Sequence, residues 1–149
     1  MKLYLLDSDI LTYLEQQDSP LHKSVTQRLS QLDDSDEVLV SIISFYEMQY
    51  GVAWADENER VNLQRAIDAL ASRFQVVGLS RQGAQIFGDL KAAYRRAVGI
   101  TPSALKRNDI DLLIASTAIE TGAILVSNDH LFKTIGDIYP GFELENWAL

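Results

Sequence analysis

The stretch Leu3-Tyr4-Leu5-Leu6-Asp7-Ser8-Asp9-Ile10-Leu11 decides how the rest of the chain is read. Four apolar residues in a row describe a strand buried on both faces, because a half-exposed strand would alternate with polar side chains. This first strand is assigned to residues 2–6. Asp7 and Asp9 interrupt the apolar run, and Ile10, Leu11 and Leu14 then share one side of a helix over residues 9–17.

The same alternation continues outward. Helical spacing covers residues 21–32 through Leu21, Val25, Leu29 and Leu32, and a strand follows over 37–41. Ser44 is taken to open a helix carrying Tyr46, Tyr50 and Trp54. An amphipathic helix occupies 57–73, with Val61, Ile67, Leu70 and Phe74 toward the core. A strand over 75–78 precedes a helix capped by Ser80 and reaching Val98. Residues 99–108, with Pro102, read as a loop. A helix over 109–120 ends at Gly122, and a strand over 123–127, a short helix over 131–135 and an edge strand over 142–144 complete the chain. Strands separated by helices require crossover connections, which makes the class α/β, with a mainly parallel sheet covered on both faces. There is no internal repeat, low-complexity tract or linker, so residues 1–149 are expected to form a single domain.

With 47% hydrophobic and 23% charged residues, the balance is that of a globular protein able to bury a core. The absence of cysteine excludes disulfides, thiolate metal sites and cysteine nucleophiles. No signal core and no apolar run approaching the roughly 20 residues of a membrane span is present, and a cytoplasmic location is expected. The net charge of −8, from 13 basic and 21 acidic residues, disfavours a non-specific nucleic-acid binder. Holding two divalent ions on four carboxylates would halve that charge, so the total does not settle the question.

Four acids occupy matching places in this architecture. Asp7 follows the first strand, and Glu47 lies in the first turn of the helix after the second. Asp111 lies in the first turn of a late helix, and Asp129 follows a strand end. In a parallel sheet, strand C-termini and the following helix N-termini share one edge, where ligands collect. Carboxylates about 5 Å apart repel by roughly 3 kcal/mol at an effective dielectric near 20, so such a cluster calls for a hard cation such as Mg²⁺ or Mn²⁺. Each acid also has an ordinary local role. Ser44-x-x-Glu47 has the form of a capping box, Asn108-x-x-Asp111 that of a cap with a dipole-favoured acid, and Asn128-Asp129 that of a turn. Asp7 could cap its own helix.

The motifs themselves resemble those of the PIN-domain nucleases. Leu5-Leu6-Asp7-Ser8-Asp9-Ile10-Leu11 is similar to the opening motif, and Ser44-Phe45-Tyr46-Glu47-Met48 with Tyr50-Gly51 to the second. Asn108 through Ala115 with Thr117-Ala118 resembles the third, Leu125 through Phe132 the fourth, and Leu144-Glu145-Asn146-Trp147 the usual C-terminal end. The ordered set is most similar to VapC-type toxins of bacterial toxin–antitoxin modules. The resemblance implies a PIN-like three-layer α/β/α fold and a Mg²⁺- or Mn²⁺-dependent endoribonuclease that is dimeric and silenced by a cognate antitoxin. It places the four acids on Asp7, Glu47, Asp111 and Asp129.

On that basis Asp7 and Asp111 hold the principal metal, with Asp129 supporting it or a second ion. Glu47 orients or deprotonates the attacking water, and the products carry 5′-phosphate and 3′-hydroxyl ends. Ser8, Asp9 and Ser127 support the carboxylates. One position departs from the family, since Asp9 stands where Asn is usual. Asp109 is read as a helix-start residue rather than a ligand, because residues two apart on a helix diverge. Lys91, Arg95, Arg96, Lys106 and Arg107 form the densest basic stretch and are candidate phosphate contacts. Tyr46, Tyr50 and Trp54 are expected to pack in the core, the alternative being a dimer seam or antitoxin groove. His22 and His130 are assigned no catalytic role.

Two rival readings remain at this level. Asp7-Ser8-Asp9 and Val126-Ser127-Asn128 imitate the first two motifs of haloacid-dehalogenase-like phosphatases, although no convincing lysine and paired-acid motifs follow. The chain could also be a catalytically silent PIN-like binding module, against which the four intact acids speak. Neither a Gly-x-Ser-x-Gly elbow nor a P-loop is present.

Overall fold

The computed structural model describes residues 1–149. Five strands form one wholly parallel sheet: β1 (Leu3–Leu6), β2 (Glu37–Ser41), β3 (Gln75–Val77), β4 (Ile124–Val126) and β5 (Leu144–Glu145). Their spatial order is β3-β2-β1-β4-β5. Between them lie α1 (Ser8–Glu15), α2 (Pro20–Ser30), α3 (Ile42–Trp54), α4 (Glu57–Arg73), α5 (Arg81–Val98), α6 (Pro102–Leu105), α7 (Asp109–Thr121) and α8 (Leu131–Ile138).

The apolar run of β1 does what its composition requires. Tyr4 and Leu6 point to one face, where they join Ile10, Leu11 and Leu14 of α1, Val25 of α2, Phe45 of α3 and Ile67 and Leu70 of α4. Leu5 points to the other face, with Leu39 and Leu125, against Leu90 and Tyr94 of α5, Leu112 and Ile114 of α7, and Phe132 and Ile135 of α8. Alternating residues of the same strands thus feed two cores, giving the three-layer α/β/α architecture.

Residues 99–108 are not an open loop. Thr101 caps a single helical turn with Pro102 at its first position, and a 3-10 turn over Lys106–Asn108 leads into α7. Helix α3 also begins earlier than expected. Ser41, the last residue of β2, accepts from the Ile43 amide and caps α3, so Ser44 lies buried inside the helix rather than opening it. Tyr46, Tyr50 and Trp54 are 71%, 63% and 83% exposed, which corrects their expected place in the core. Phe45, Met48 and Val52 supply the core face of α3 instead. Val61 of α4 is likewise exposed.

Candidate active site

The strand order reverses direction between β1 and β4, and that seam is where an open parallel sheet leaves a crevice beyond its carboxyl ends. Asp7 is the first residue past β1. Its amide donates to the Val126 carbonyl at 2.9 Å, carrying the ladder one step beyond the strands. Its carboxylate accepts from the Ser8 amide and from the Ser127 hydroxyl, each at 2.8 Å. Asp7 therefore caps α1 and faces the seam at once; the two roles do not compete. Burial pushes its carboxyl up to about 7, and Asp9 and then Asp111 add to the effect against the opposing hydrogen bonds.

Asp111 arrives from the other half of the chain, in the first turn of α7. Burial raises it to about 6, with further upward pressure from Asp129, Glu47 and Asp9, and no hydrogen bond opposes the shift. Burial also raises the Tyr94 hydroxyl of α5, and the same two acids, Asp111 and Asp129, add to it. Four carboxylates from four separate stretches thus act on one another across one rim.

Glu47 sits in the second turn of α3, not the first, because Ser41 rather than Ser44 caps the helix. The Ser8 hydroxyl donates to its Oε1 at 2.7 Å and lies 3.0 Å from the buried Ser44 hydroxyl. Ser44 was legible only as a capping residue; its place is behind Ser8. Removing that hydroxyl as Ser8→Ala should lower turnover about 10-fold, as loss of an outer partner typically does, with the half-exposed site costing little stability. Steady-state cleavage assays would show it, and unchanged turnover would mean that Glu47 needs no such support.

Asp129 is exposed, and its Oδ1 accepts from the Leu131 amide at 3.0 Å. Its own amide donates to the Ser127 hydroxyl at 3.0 Å, so Ser127 links Asp129 to Asp7. Asp9 accepts from the Ile10 amide at 2.7 Å and from the Asn128 amide at 3.1 Å. Burial pushes its carboxyl upward, with Asp129 contributing in the same direction.

No three of these side chains are drawn in to chelating distance of one point. Hydrogen bonds from the Ser8 amide and the Ser127 hydroxyl ease the charge on Asp7 only in part, and no cationic side chain pairs with any of the four acids. The two ion pairs of the chain, Arg28–Glu145 and Lys91–Asp109, involve none of the four acids. An all-oxygen donor set with uncompensated charge is the chemistry that a hard divalent cation satisfies, so the residues fit Mg²⁺ or Mn²⁺.

The basic candidates divide. Lys91 is committed to Asp109 at 2.6 Å, which also keeps Asp109 out of the carboxylate group. Arg95, Arg96, Lys106 and Arg107 are exposed. Gly88, Lys91, Ala92, Arg95, Arg96 and Leu105 line an open groove of about 470 Å³.

Comparison with known proteins identifies the family and the fold. The family model of the PIN domain matches residues 4–138. The chain is 30% identical over 146 residues to a Rickettsia felis protein named Ribonuclease VapC2, covering 97% of this chain and 98% of that one. It is similar in structure to VapBC2 from Rickettsia felis bound to a DNA fragment from their promoter, with a TM-score of 0.78 and 29% identity over 97% of this chain and 98% of that one. VapBC-1 from nontypeable Haemophilus influenzae gives a TM-score of 0.77 and 25% identity over 99% of both chains. The family match spans both stretches that imitate phosphatase motifs and accounts for them within one fold. The chain belongs to the PIN domain family, in its VapC branch.

Proposed function

We propose that this protein is a divalent-metal-dependent endoribonuclease, the toxin of a toxin–antitoxin pair, acting in the cytoplasm as one nuclease unit over residues 1–149. The observation that carries the reading is the mutual influence of Asp7, Glu47, Asp111 and Asp129 at the β1–β4 seam, with no protein cation to offset it.

Asp7, Asp111 and Asp129 would hold Mg²⁺ or Mn²⁺. When bound, the ion supplies the positive charge that draws in a phosphodiester, polarises its phosphoryl oxygen and acidifies a water. Ser127 keeps Asp7 and Asp129 in fixed relation, and Ser8 holds one oxygen of Glu47. The other Glu47 oxygen is left to orient the attacking water and accept its proton. In-line attack expels the 3′-oxygen and leaves 5′-phosphate and 3′-hydroxyl ends. Arg95, Arg96, Lys106 and Arg107 flank the approach and take phosphates, with Lys91 holding the start of α7 through Asp109.

The partners in this reading are RNA, a cognate antitoxin and a second copy of the chain. The relatives named above support it, one being called a ribonuclease and two being VapBC structures. The exposed Tyr46, Tyr50 and Trp54 stripe is the face assigned to a protein partner, since Tyr and Trp are favoured interface anchors.

Cleavage of end-labelled single-stranded RNA in Mg²⁺, Mn²⁺ or EDTA tests the proposal. Products should appear with either ion and vanish with EDTA. Asp111→Asn should cut more than about 100-fold more slowly, beyond the cost of losing an outer partner, while its circular dichroism stays native. Undiminished cleavage in EDTA, or by this variant, would refute the reading.

A further inference from the structure

The C-terminal strand is wired to the loop that carries Asp129. Asn146, one residue past β5, donates from Nδ2 to the Asn128 side-chain oxygen at 2.7 Å, and its Oδ1 accepts from the Ala148 amide at 2.9 Å. On its other side Asn128 is gripped by Asp9, which accepts from its backbone amide at 3.1 Å. Asn128 also approaches the Tyr13 hydroxyl at 3.5 Å. The tail itself is well anchored. Trp147 is 1% exposed, packs tilted against Tyr4 with ring centroids 5.2 Å apart and donates to Glu145, and the single Ser24 hydroxyl proton is shared between the Trp147 and Leu149 carbonyls at 2.7 and 2.8 Å. Glu145 is in turn paired with Arg28 at 2.7 Å.

We infer that Asn146 and Asp9 are positioning residues that hold Asn128 from opposite sides and thereby fix Asp129 at the rim of the metal site. The inference deepens the proposed nuclease reading and rests on it. The loop from Ser127 to His130 is exposed from Asn128 onward and has little packing of its own. Its geometry therefore depends on hydrogen bonds: Ser127 to Asp7 below, Asp9 on one flank and Asn146 on the other.

Asp9 explains its own departure from the usual Asn. Each of its two oxygens accepts from a different backbone amide, Ile10 through Oδ1 and Asn128 through Oδ2. An asparagine has only one acceptor oxygen, and its NH₂ group would face an N–H donor. The carboxylate is the side chain that can make both bonds.

The test measures the Mn²⁺ dissociation constant, RNA turnover and melting temperature of the 149-residue chain. Asn146→Ala removes both bonds of that residue. Asn128→Ala removes the bond to Asn146 and the long contact with Tyr13 but leaves the Asn146–Ala148 bond, so the tail stays docked. Each should weaken Mn²⁺ binding about 10-fold, the low end of the cost of an outer partner, and the double variant should be no weaker than either single one. RNA KM should be unchanged, and turnover should be restored by raising Mn²⁺, which a merely structural defect would not allow. Unchanged Mn²⁺ affinity in the folded variants, or additive losses, would overturn the inference. If Asn146→Ala does not fold, Asn128→Ala decides alone. If the native protein binds Mn²⁺ and cuts RNA while the variants bind equally well, only this inference falls; if the native protein binds no Mn²⁺, the nuclease reading falls with it.

Discussion

Asp7→Asn should silence RNA cleavage and yet make the metal-free protein more stable at neutral pH. Asp7 titrates near 7 in the folded chain against an ordinary 3.8, driven by burial and then by Asp9. A raised folded value means that the proton favours the folded state. The stabilisation is complete below about pH 4 and is lost as pH rises through 7. Above that, a buried charge sits beside Asp9 and Asp111, and the penalty is on the order of a few kcal/mol. Asparagine removes the charge at the cost of one of two hydrogen bonds, about 1 kcal/mol.

Melting curves in EDTA from pH 5 to 8 would show the native protein losing more stability than Asp7→Asn, which keeps the shallower loss due to the raised Asp111 and Asp9 carboxyls. Adding Mg²⁺ at pH 8 should restore the native protein and leave the variant unmoved. A variant less stable than the native chain at pH 8 without metal would contradict the burial argument.

Trp147→Ala should cost about 3–5 kcal/mol, the usual range for a fully buried Trp, and lower the melting temperature by on the order of 10 °C. Its ring fills the first core between Tyr4 and the α1–α2 side of the sheet, under the Arg28 guanidinium at 5.8 Å. Truncation opens a cavity and also frees the tail that carries Asn146, so turnover should fall by more than the unfolded fraction explains. Trp147→Phe keeps the ring contact but not the bond to Glu145 and should lose less than half as much. Urea titration resolves both variants, and a loss below about 1 kcal/mol for alanine would show that the tail is not part of the core.

Much of this was legible from local signals. β1 declared itself by being apolar on both faces, and Gly122 marked the end of α7 because it takes a left-handed conformation, φ 72°. Asp7, Asp111 and Asp129 were legible because strand ends and helix starts fix where side chains emerge. What escaped depended on a choice between equivalent local options. Ser41 and Ser44 can both cap a helix, and only the pairing of β2 with β3 through Ser41 decides which one stands at the strand's end. Helix α3 carries two apolar stripes, each at helical spacing, one through Phe45, Met48 and Val52 and one through Tyr46, Tyr50 and Trp54. Periodicity cannot say which meets the sheet. Asn128 and Asn146 each lie in a motif the sequence displays, but nothing in either motif says that their side chains meet.

The crossover from β3 to β4 has a consequence for the moment at which this protein becomes active. Asp7 and Glu47 lie before it, and Asp111 and Asp129 after it. A ribosome-bound nascent chain that has emerged only as far as α5 possesses half of the acids and no partner strand for β1 on that side. Such a fragment has nothing to cut with. Conversely, any complementation between the two halves, produced as separate polypeptides, would be reported by nuclease activity itself.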